Sequence, residues 1–133
     1  SLLTTHCPMT KHLRVFISTG EVSGDLQGAL LVEALHRQSH SLDWQLEIVA
    51  LGGDRMAAAG ATLLANTAGI GSVGTVWEAI PFVIPTLKIQ SQTKQYLQQH
   101  PPDIVVLIDY AGPNLALGSY IRHTFPQIPI VYF

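Results

Sequence analysis

The chain has 133 residues, of which 47% are hydrophobic and 12% are charged, with a formal net charge of -2. This length suits one domain, or one half of a two-domain enzyme, and is sufficient to bury a hydrophobic core. The composition excludes intrinsic disorder, which requires low hydrophobicity and high charge. The absence of a basic run excludes an electrostatic footprint for nucleic acid, and the single cysteine, Cys7, excludes a disulfide framework and a cysteine-based zinc site.

The two ends of the chain differ in character. Residues 1–12 are polar and aperiodic and lack the features of a secretory signal, so we expect a disordered leader, with Met9 as a candidate true start. The last residues, IPIVYF, form an apolar run that is typical of a buried strand. A domain seldom ends by exposing a core strand, so we expect the domain of residues 13–133 to be cut short.

Short apolar runs alternate with helical patterns along the chain. Strands are predicted at residues 13–18, 46–51, 104–108 and 130–133. Helices are predicted from about residue 23 to 36, and at residues 55–59, 86–99 and 113–124. This alternation predicts parallel strands joined by right-handed crossovers, with helices on both faces. The predicted fold class is therefore α/β, a Rossmann-like three-layer sandwich around a parallel sheet.

Ligands of an open parallel sheet bind at the carboxyl ends of its strands, which makes the loops there candidate sites. The loop after the first strand contains five candidate residues: Gly20, Glu21, Ser23, Gly24 and Asp25. Its glycine spacing matches neither the dinucleotide-binding turn nor the P-loop, so an NAD enzyme is not expected. Two interpretations stay open: a loop whose N–H groups bind an anion, or a helix cap made by Ser23 or Asp25.

Two further loops carry candidate residues. Gly53 and Arg55 follow the second strand, where they either face a phosphate or carboxylate or form an ordinary turn with a surface arginine. Asp109 directly follows the most apolar strand, and a carboxylate in this partly desolvated position is a candidate general base. The alternative is that Asp109 only caps its loop. Asn114 is expected to hydrogen-bond substrate or to cap the helix that follows.

The segment of residues 70–87 contains a single charged residue. It carries Pro81 and Pro85, is interrupted by Gly71 and Gly74, and does not predict a single membrane-spanning helix. Four of its side chains are expected either to cover the core or to form a patch in a membrane interface: Trp77, Phe82, Val83 and Ile84. The six histidines are scattered, so no metal site is predicted.

Three of these segments together resemble the lipid-A-disaccharide synthases. They are the GEVSGD loop at residues 20–25, the GGDRM segment at residues 52–56 with the Ala-Gly pair that follows it, and Asp109 followed by Asn114. They occur in the order and spacing of that family, over residues 13–133. The family is similar to the GT-B glycosyltransferases, whose two Rossmann-like halves enclose a cleft. The resemblance implies that this chain is the N-terminal, acceptor-side half, truncated before the half that binds the donor.

The resemblance also implies an activity. Members transfer a 2,3-diacylglucosamine from a UDP donor to 2,3-diacylglucosamine 1-phosphate in lipid A biosynthesis, without a metal or other cofactor. By position, Asp109 matches the family's proposed general base. The residues that match the substrate-binding loops are Gly20, Glu21, Ser23, Gly24, Asp25, Gly53, Arg55 and Asn114. We expect the chain to be inactive alone, because one wall of a cleft cannot position two substrates.

The location of the protein is likewise implied by the resemblance. Residues 74–87 fall where the family carries an apolar, membrane-associating surface. This implies a cytoplasmic protein that is peripheral at the inner face of the bacterial inner membrane, and a homodimer is among the assemblies to expect.

One departure from the family pattern bears on function. The family commonly reads D-x-P-D-F-N, whereas this chain has Gly112 in place of the second acid and its proline, Pro113, two places later. The departure predicts a different acceptor or a reduced activity. Two alternatives therefore stay open: a non-catalytic lipid- or nucleotide-binding module of related fold, and another UDP-sugar enzyme such as an epimerase, which needs no acceptor.

Overall fold

The structure is a computed structural model that describes residues 11–20, 22–67, 76–109 and 111–132, and of residues 22, 76–86 and 111 the backbone alone. Strands and helices alternate in it. The strands are β1 (His12–Ser18), β2 (Gln45–Gly52), β3 (Thr62–Asn66), β4 (Ile104–Leu107) and β5 (Ile130–Tyr132). The helices are α1 (Val22–Leu42), α2 (Asp54–Ala59), α3 (Val76–Gln99) and α4 (Ala111–Thr124).

The strands form one parallel sheet in the order β3-β2-β1-β4-β5. β1 lies at its centre, between β2 and β4. The connection that follows β1 leads to β2 on one side of the sheet, and the connection that follows β4 leads to β5 on the other side. The connections after these two adjacent strands therefore run in opposite directions. In sheets of this kind such a reversal forms a crevice at the carboxyl ends of the two strands, here β1 and β4, and ligands bind in it; this region is called the crevice below.

Helices pack on both faces of the sheet. Successive side chains of a strand point to opposite faces, and here both sets are apolar, so both faces are covered. On one face, Ile17 belongs to a buried cluster with Val32 of α1 and Met56 of α2. On the other face, the neighbouring residue Phe16 belongs to a cluster with Leu97 of α3. These two cores make the three-layer sandwich that the sequence predicts.

The structure corrects some of the predicted elements. β3 was not predicted, and α3 begins at Val76 rather than at residue 86. The predicted helix began after Pro81 and Pro85, yet the backbone is helical through both. Because these prolines are four residues apart, the backbone hydrogen bonds that they remove lie on one side of the helix.

The boundary of the predicted leader also differs. His12 already belongs to β1, so the boundary predicted after residue 12 falls inside a strand. Of the remaining leader residues, 1–10 lie outside the described residues, and Lys11 directly precedes the strand.

Met56 joins the first two helices to the sheet. Its side chain is 0% exposed. A Cβ atom added at Gly28 would lie 2.6 Å from its sulfur, and one added at Gly52 would overlap the same atom. The thioether is therefore held between two positions at which any side chain would collide with it.

This packing predicts that Gly28→Ala destabilises the fold. We expect the free energy of unfolding to fall by about 1–3 kcal/mol, because overpacking a filled core forces its neighbours to shift. The loss should appear although alanine is intrinsically favoured over glycine in a helix. Urea denaturation of the variant measures it.

Gly112→Ala is the matched control. This glycine also lies in a helix, and a Cβ atom added there meets nothing within 4 Å. The free energy of unfolding of Gly112→Ala should equal or exceed that of the wild type. In a Met56→Ala background, Gly28→Ala should lower the free energy of unfolding much less, because the shortened side chain at position 56 leaves room for the added methyl group. An equal cost in both backgrounds would contradict the collision with Met56.

Candidate functional site

The loops that follow β1 and β4 lie side by side at the crevice. Beyond the last ladder pair, the backbone N–H of Ile108 still donates to the carbonyl oxygen of Ser18, at 2.9 Å. Gly20 follows β1 and Asp109 follows β4 by two residues. The two strand ends therefore present one continuous surface, on which the sequence-predicted loops meet.

Asn114 ties these strand ends together. It lies in the first turn of α4 and is 3% exposed. Its Nδ2 lies within hydrogen-bonding distance of the carbonyl oxygens of Ser18 at 3.1 Å, Ile108 at 3.2 Å and Asp109 at 2.7 Å. Its Oδ1 accepts from the Ser18 hydroxyl at 2.7 Å. The amide is thus hydrogen-bonded within the chain, in contacts that are not those of a cap of α4, and the expected contact with substrate stays a prediction.

Asp109 adopts a backbone conformation that few residues tolerate. Its φ is 48°, in the left-handed region that aspartate and asparagine enter more readily than other residues with a side chain. Residues held in such conformations cluster at functional sites. The hydrogen bond from Asn114 to its carbonyl oxygen holds it there.

The Asp109 side chain is exposed and makes no hydrogen bond or ion pair with the residues that the structure describes. The predicted partial desolvation is therefore not seen in this chain, because no described group lies over the carboxylate. The alternative prediction, that Asp109 caps its loop, is also not seen among these residues. What the structure shows is an exposed carboxylate just after a buried strand, with no partner among the described residues and with its backbone hydrogen-bonded by Asn114.

Asp25 connects the first candidate loop to the second. It lies near the start of α1 and is 4% exposed. Its Oδ1 accepts from the backbone N–H groups of Gly53 at 2.9 Å and Met56 at 3.1 Å, and its Oδ2 accepts from that of Arg55 at 3.1 Å. These amides begin α2, whose own N-cap residue, Gly53, makes no side-chain cap. Asp25 is therefore a cap, but of α2 rather than of its own helix.

The other predicted site residues fall into two groups. Ser23 and Arg55 are exposed, whereas Gly20, Gly24 and Gly53 are buried. A Cβ atom added at Gly24 would lie 3.2 Å from the Cβ of Thr19, so close packing of the loop accounts for this glycine. The exposed members are the ones placed to meet a ligand.

Some predicted residues are not placed by the structure. Glu21 lies outside the described residues. Trp77, Phe82, Val83 and Ile84 lie in α3, but their side chains are outside the described part, so the membrane patch stays a prediction. Within the described ranges, no helix has the length and hydropathy needed to span a membrane. The same residues hold no cluster of three histidine, cysteine or acidic side chains that could bind a metal ion.

Sequence reasoning missed three buried hydroxyl residues at the strand ends: Ser18, Thr19 and Thr67. Thr67 follows β3, donates through its Oγ1 to the carbonyl oxygen of Thr19 at 2.5 Å, and donates through its backbone N–H to that of Gly52 at 2.9 Å. A hydroxyl residue directly at the end of an apolar strand was the available signal for Ser18 and Thr19. Thr67 had none, because the strand before it was not predicted.

The capping role of Asp25 predicts that Asp25→Asn destabilises the fold. The variant replaces one accepting oxygen by an NH2 group that faces a backbone N–H, and a buried donor left without a partner costs about 1–3 kcal/mol. Urea denaturation measures the loss. Asp43→Asn is the matched control, because Asp43 is exposed and its φ of 59° suits asparagine equally well. If both variants were equally stable, the cap would be excluded as a source of stability.

Comparison with known proteins places the chain in a family. A model of the family "Lipid-A-disaccharide synthetase" matches residues 15–133. The lipid-A-disaccharide synthase of Gloeothece citriformis is 60% identical over 121 residues, which are 91% of this chain and 31% of that protein. The lipid-A-disaccharide synthase of Synechocystis sp. is 59% identical, over 91% of this chain and 30% of that protein. The chain therefore spans about 30% of the length of the curated relatives that it matches.

Solved structures agree on the fold. The glycotransferase of kitacinnamycin superimposes with a TM-score of 0.60 at 16% identity, over 93% of this chain and 30% of that one. The calicheamicin glycosyltransferase CalG4 gives a TM-score of 0.55 at 18% identity, over 93% and 32%. These likenesses confirm the predicted fold class, a Rossmann-like α/β sandwich of the kind found in the GT-B fold. The family model covers most of the sequence and decides the assignment: the chain belongs to the lipid-A-disaccharide synthetase family.

Proposed function

We propose that the protein to which this chain belongs joins two acylated glucosamines in lipid A biosynthesis. The donor is a UDP-linked 2,3-diacylglucosamine, and the acceptor is 2,3-diacylglucosamine 1-phosphate. Membership of the family supports the reaction class. The observation that carries the proposal is the Asp109 carboxylate, which is exposed at the crevice and has no partner among the described residues, while its backbone is held by Asn114.

Asp109 is the general base of the proposed reaction. Its carboxylate takes the proton of the acceptor hydroxyl while that oxygen bonds to the anomeric carbon of the donor. The bond from that carbon to the phosphate oxygen breaks, and UDP leaves with the bonding electrons. An alcohol is a poor nucleophile until its proton is taken, which is why a positioned base accelerates such a step. No metal or other cofactor takes part in the proposed step.

This chain supplies one wall of the proposed cleft. The exposure of Asp109 is consistent with that role, because in a two-walled cleft the second wall and the substrates would cover the carboxylate. Alone, the chain should not catalyse transfer, since it cannot hold donor and acceptor in register.

We also propose that the protein is cytoplasmic and contacts the inner face of the inner membrane through residues 74–87. The low charge of this segment supports the proposal, and so does the acylated nature of the proposed substrates. A pelleting assay of the full-length protein with phospholipid vesicles tests it.

A second candidate is a non-catalytic binding module. The position that carries the second acid in the family pattern is Gly112 here, and a Cβ atom added there meets nothing within 4 Å. The acceptor side thus has open space where the family pattern has a carboxylate.

We predict that Asp109→Asn in the full-length protein leaves only a small residual rate of transfer and leaves the fold intact. Asparagine keeps the size of the side chain and tolerates the left-handed backbone, but it cannot accept the proton. We expect kcat to fall by about 100-fold or more, with little change in KM. Release of UDP, measured with both acylated substrates, reports the rate, and thermal unfolding reports the fold.

Two further variants sharpen this test. Asp109→Gly should unfold at an equal or higher temperature, because glycine has no penalty at positive φ, and should also be inactive. Asp43→Asn should keep full activity, since Asp43 is an exposed aspartate with φ of 59° at the opposite end of the sheet. Turnover retained in Asp109→Asn would exclude Asp109 as the base. No turnover by the wild-type protein with both substrates would favour the binding module.

A further inference from the structure

We propose that Ser18 is a positioning residue for Asp109 and acts through the side-chain amide of Asn114. The proposal rests on the proposed function, in which Asp109 is the base. It assigns a role to a residue at the end of β1 that does not belong to the candidate loops.

The Ser18 hydroxyl has one polar contact in the described structure. Ser18 is 1% exposed, and its Oγ donates to Oδ1 of Asn114 at 2.7 Å. With this donor removed, Oδ1 would be a buried acceptor without a partner, which the amide would relieve by rotating toward another donor or water. The hydroxyl therefore fixes the plane of the amide.

The orientation of that amide is transmitted to Asp109. Of the three carbonyl oxygens near Nδ2, that of Asp109 is the nearest, at 2.7 Å against 3.1 Å and 3.2 Å. The hydrogen bond restrains the Asp109 peptide while φ is held at 48°. Loss of this restraint lets Asp109 relax toward negative φ, which redirects its Cβ and moves the carboxylate away from the acceptor hydroxyl.

Substitution of Ser18 removes this link and leaves the sheet joined. The backbone hydrogen bond from Ile108 to Ser18 does not involve the side chain, so the junction of β1 and β4 persists without the hydroxyl. An effect of Ser18→Ala on catalysis then reports the placement of Asp109 rather than loss of the strand pairing.

The experiment uses the full-length protein with both acylated substrates. Ser18→Ala should lower kcat by about 10- to 100-fold, because a displacement of about 1 Å of a reacting group costs that much. The KM values should be unchanged, since the base takes little part in binding. Thr93→Val is the matched control. Thr93 is a fully buried residue in α3 whose hydroxyl donates to the carbonyl oxygen of Ile89, so the variant should lose stability without loss of kcat.

A double variant separates this proposal from the proposed function. If Ser18 acts through Asp109, then Ser18→Ala should not lower the residual rate of Asp109→Asn any further. An inactive Asp109→Asn together with an unchanged kcat for Ser18→Ala would overturn the positioning role alone. An equal loss from Ser18→Ala in both backgrounds would overturn it too. An active Asp109→Asn would overturn the base, and the role of Ser18 with it.

Ser18→Cys keeps the test decisive if Ser18→Ala does not fold. A thiol is larger than the hydroxyl and a weaker donor, so it should weaken the hydrogen bond and displace Oδ1 of Asn114, and the kcat of the variant should fall below that of the wild type. In a Ser18→Cys variant with unchanged thermal stability, a lowered kcat supports the proposal and a wild-type kcat overturns it.

Discussion

The amide of one buried asparagine holds the centre of this sheet together at its carboxyl end. At the carboxyl ends of β1 and β4 the backbone carbonyl oxygens have lone pairs for further donors, and that of Ser18 accepts from Asn114 in addition to the N–H of Ile108. Asn114 supplies both of its N–H groups to them from the first turn of α4. The position of α4, the closure of the crevice floor and the backbone of Asp109 therefore depend on the same set of hydrogen bonds.

A second set of contacts explains why residues far apart in sequence form one motif. Asp25 binds the amides that begin α2, and Met56 of that helix is seated against Gly28 and Gly52. Much of the pattern that carries the family resemblance thus builds the walls of the crevice. The positions left facing solvent, such as Arg55 and Asp109, are the ones available to a ligand.

The sequence predicted the features whose causes are local. Four strands were predicted because each is an apolar run, and Asp109 could be placed because it directly follows one of them. β3 was missed because it is a short edge strand whose residues are only half-buried or exposed. The cap made by Asp25 was out of reach for a different reason, since its partners lie 28 to 31 residues further along the chain.

The tight packing around Met56 also makes the chain sensitive to oxidants before it has folded. In the folded protein the sulfur is enclosed and out of reach of a dissolved oxidant. In a newly made or unfolded chain it is accessible, and conversion to the sulfoxide adds a polar oxygen of about methyl size. The packing between Gly28 and Gly52 leaves little room beside the sulfur, so an oxidised chain should fold to a less stable structure until a reductase has restored the thioether.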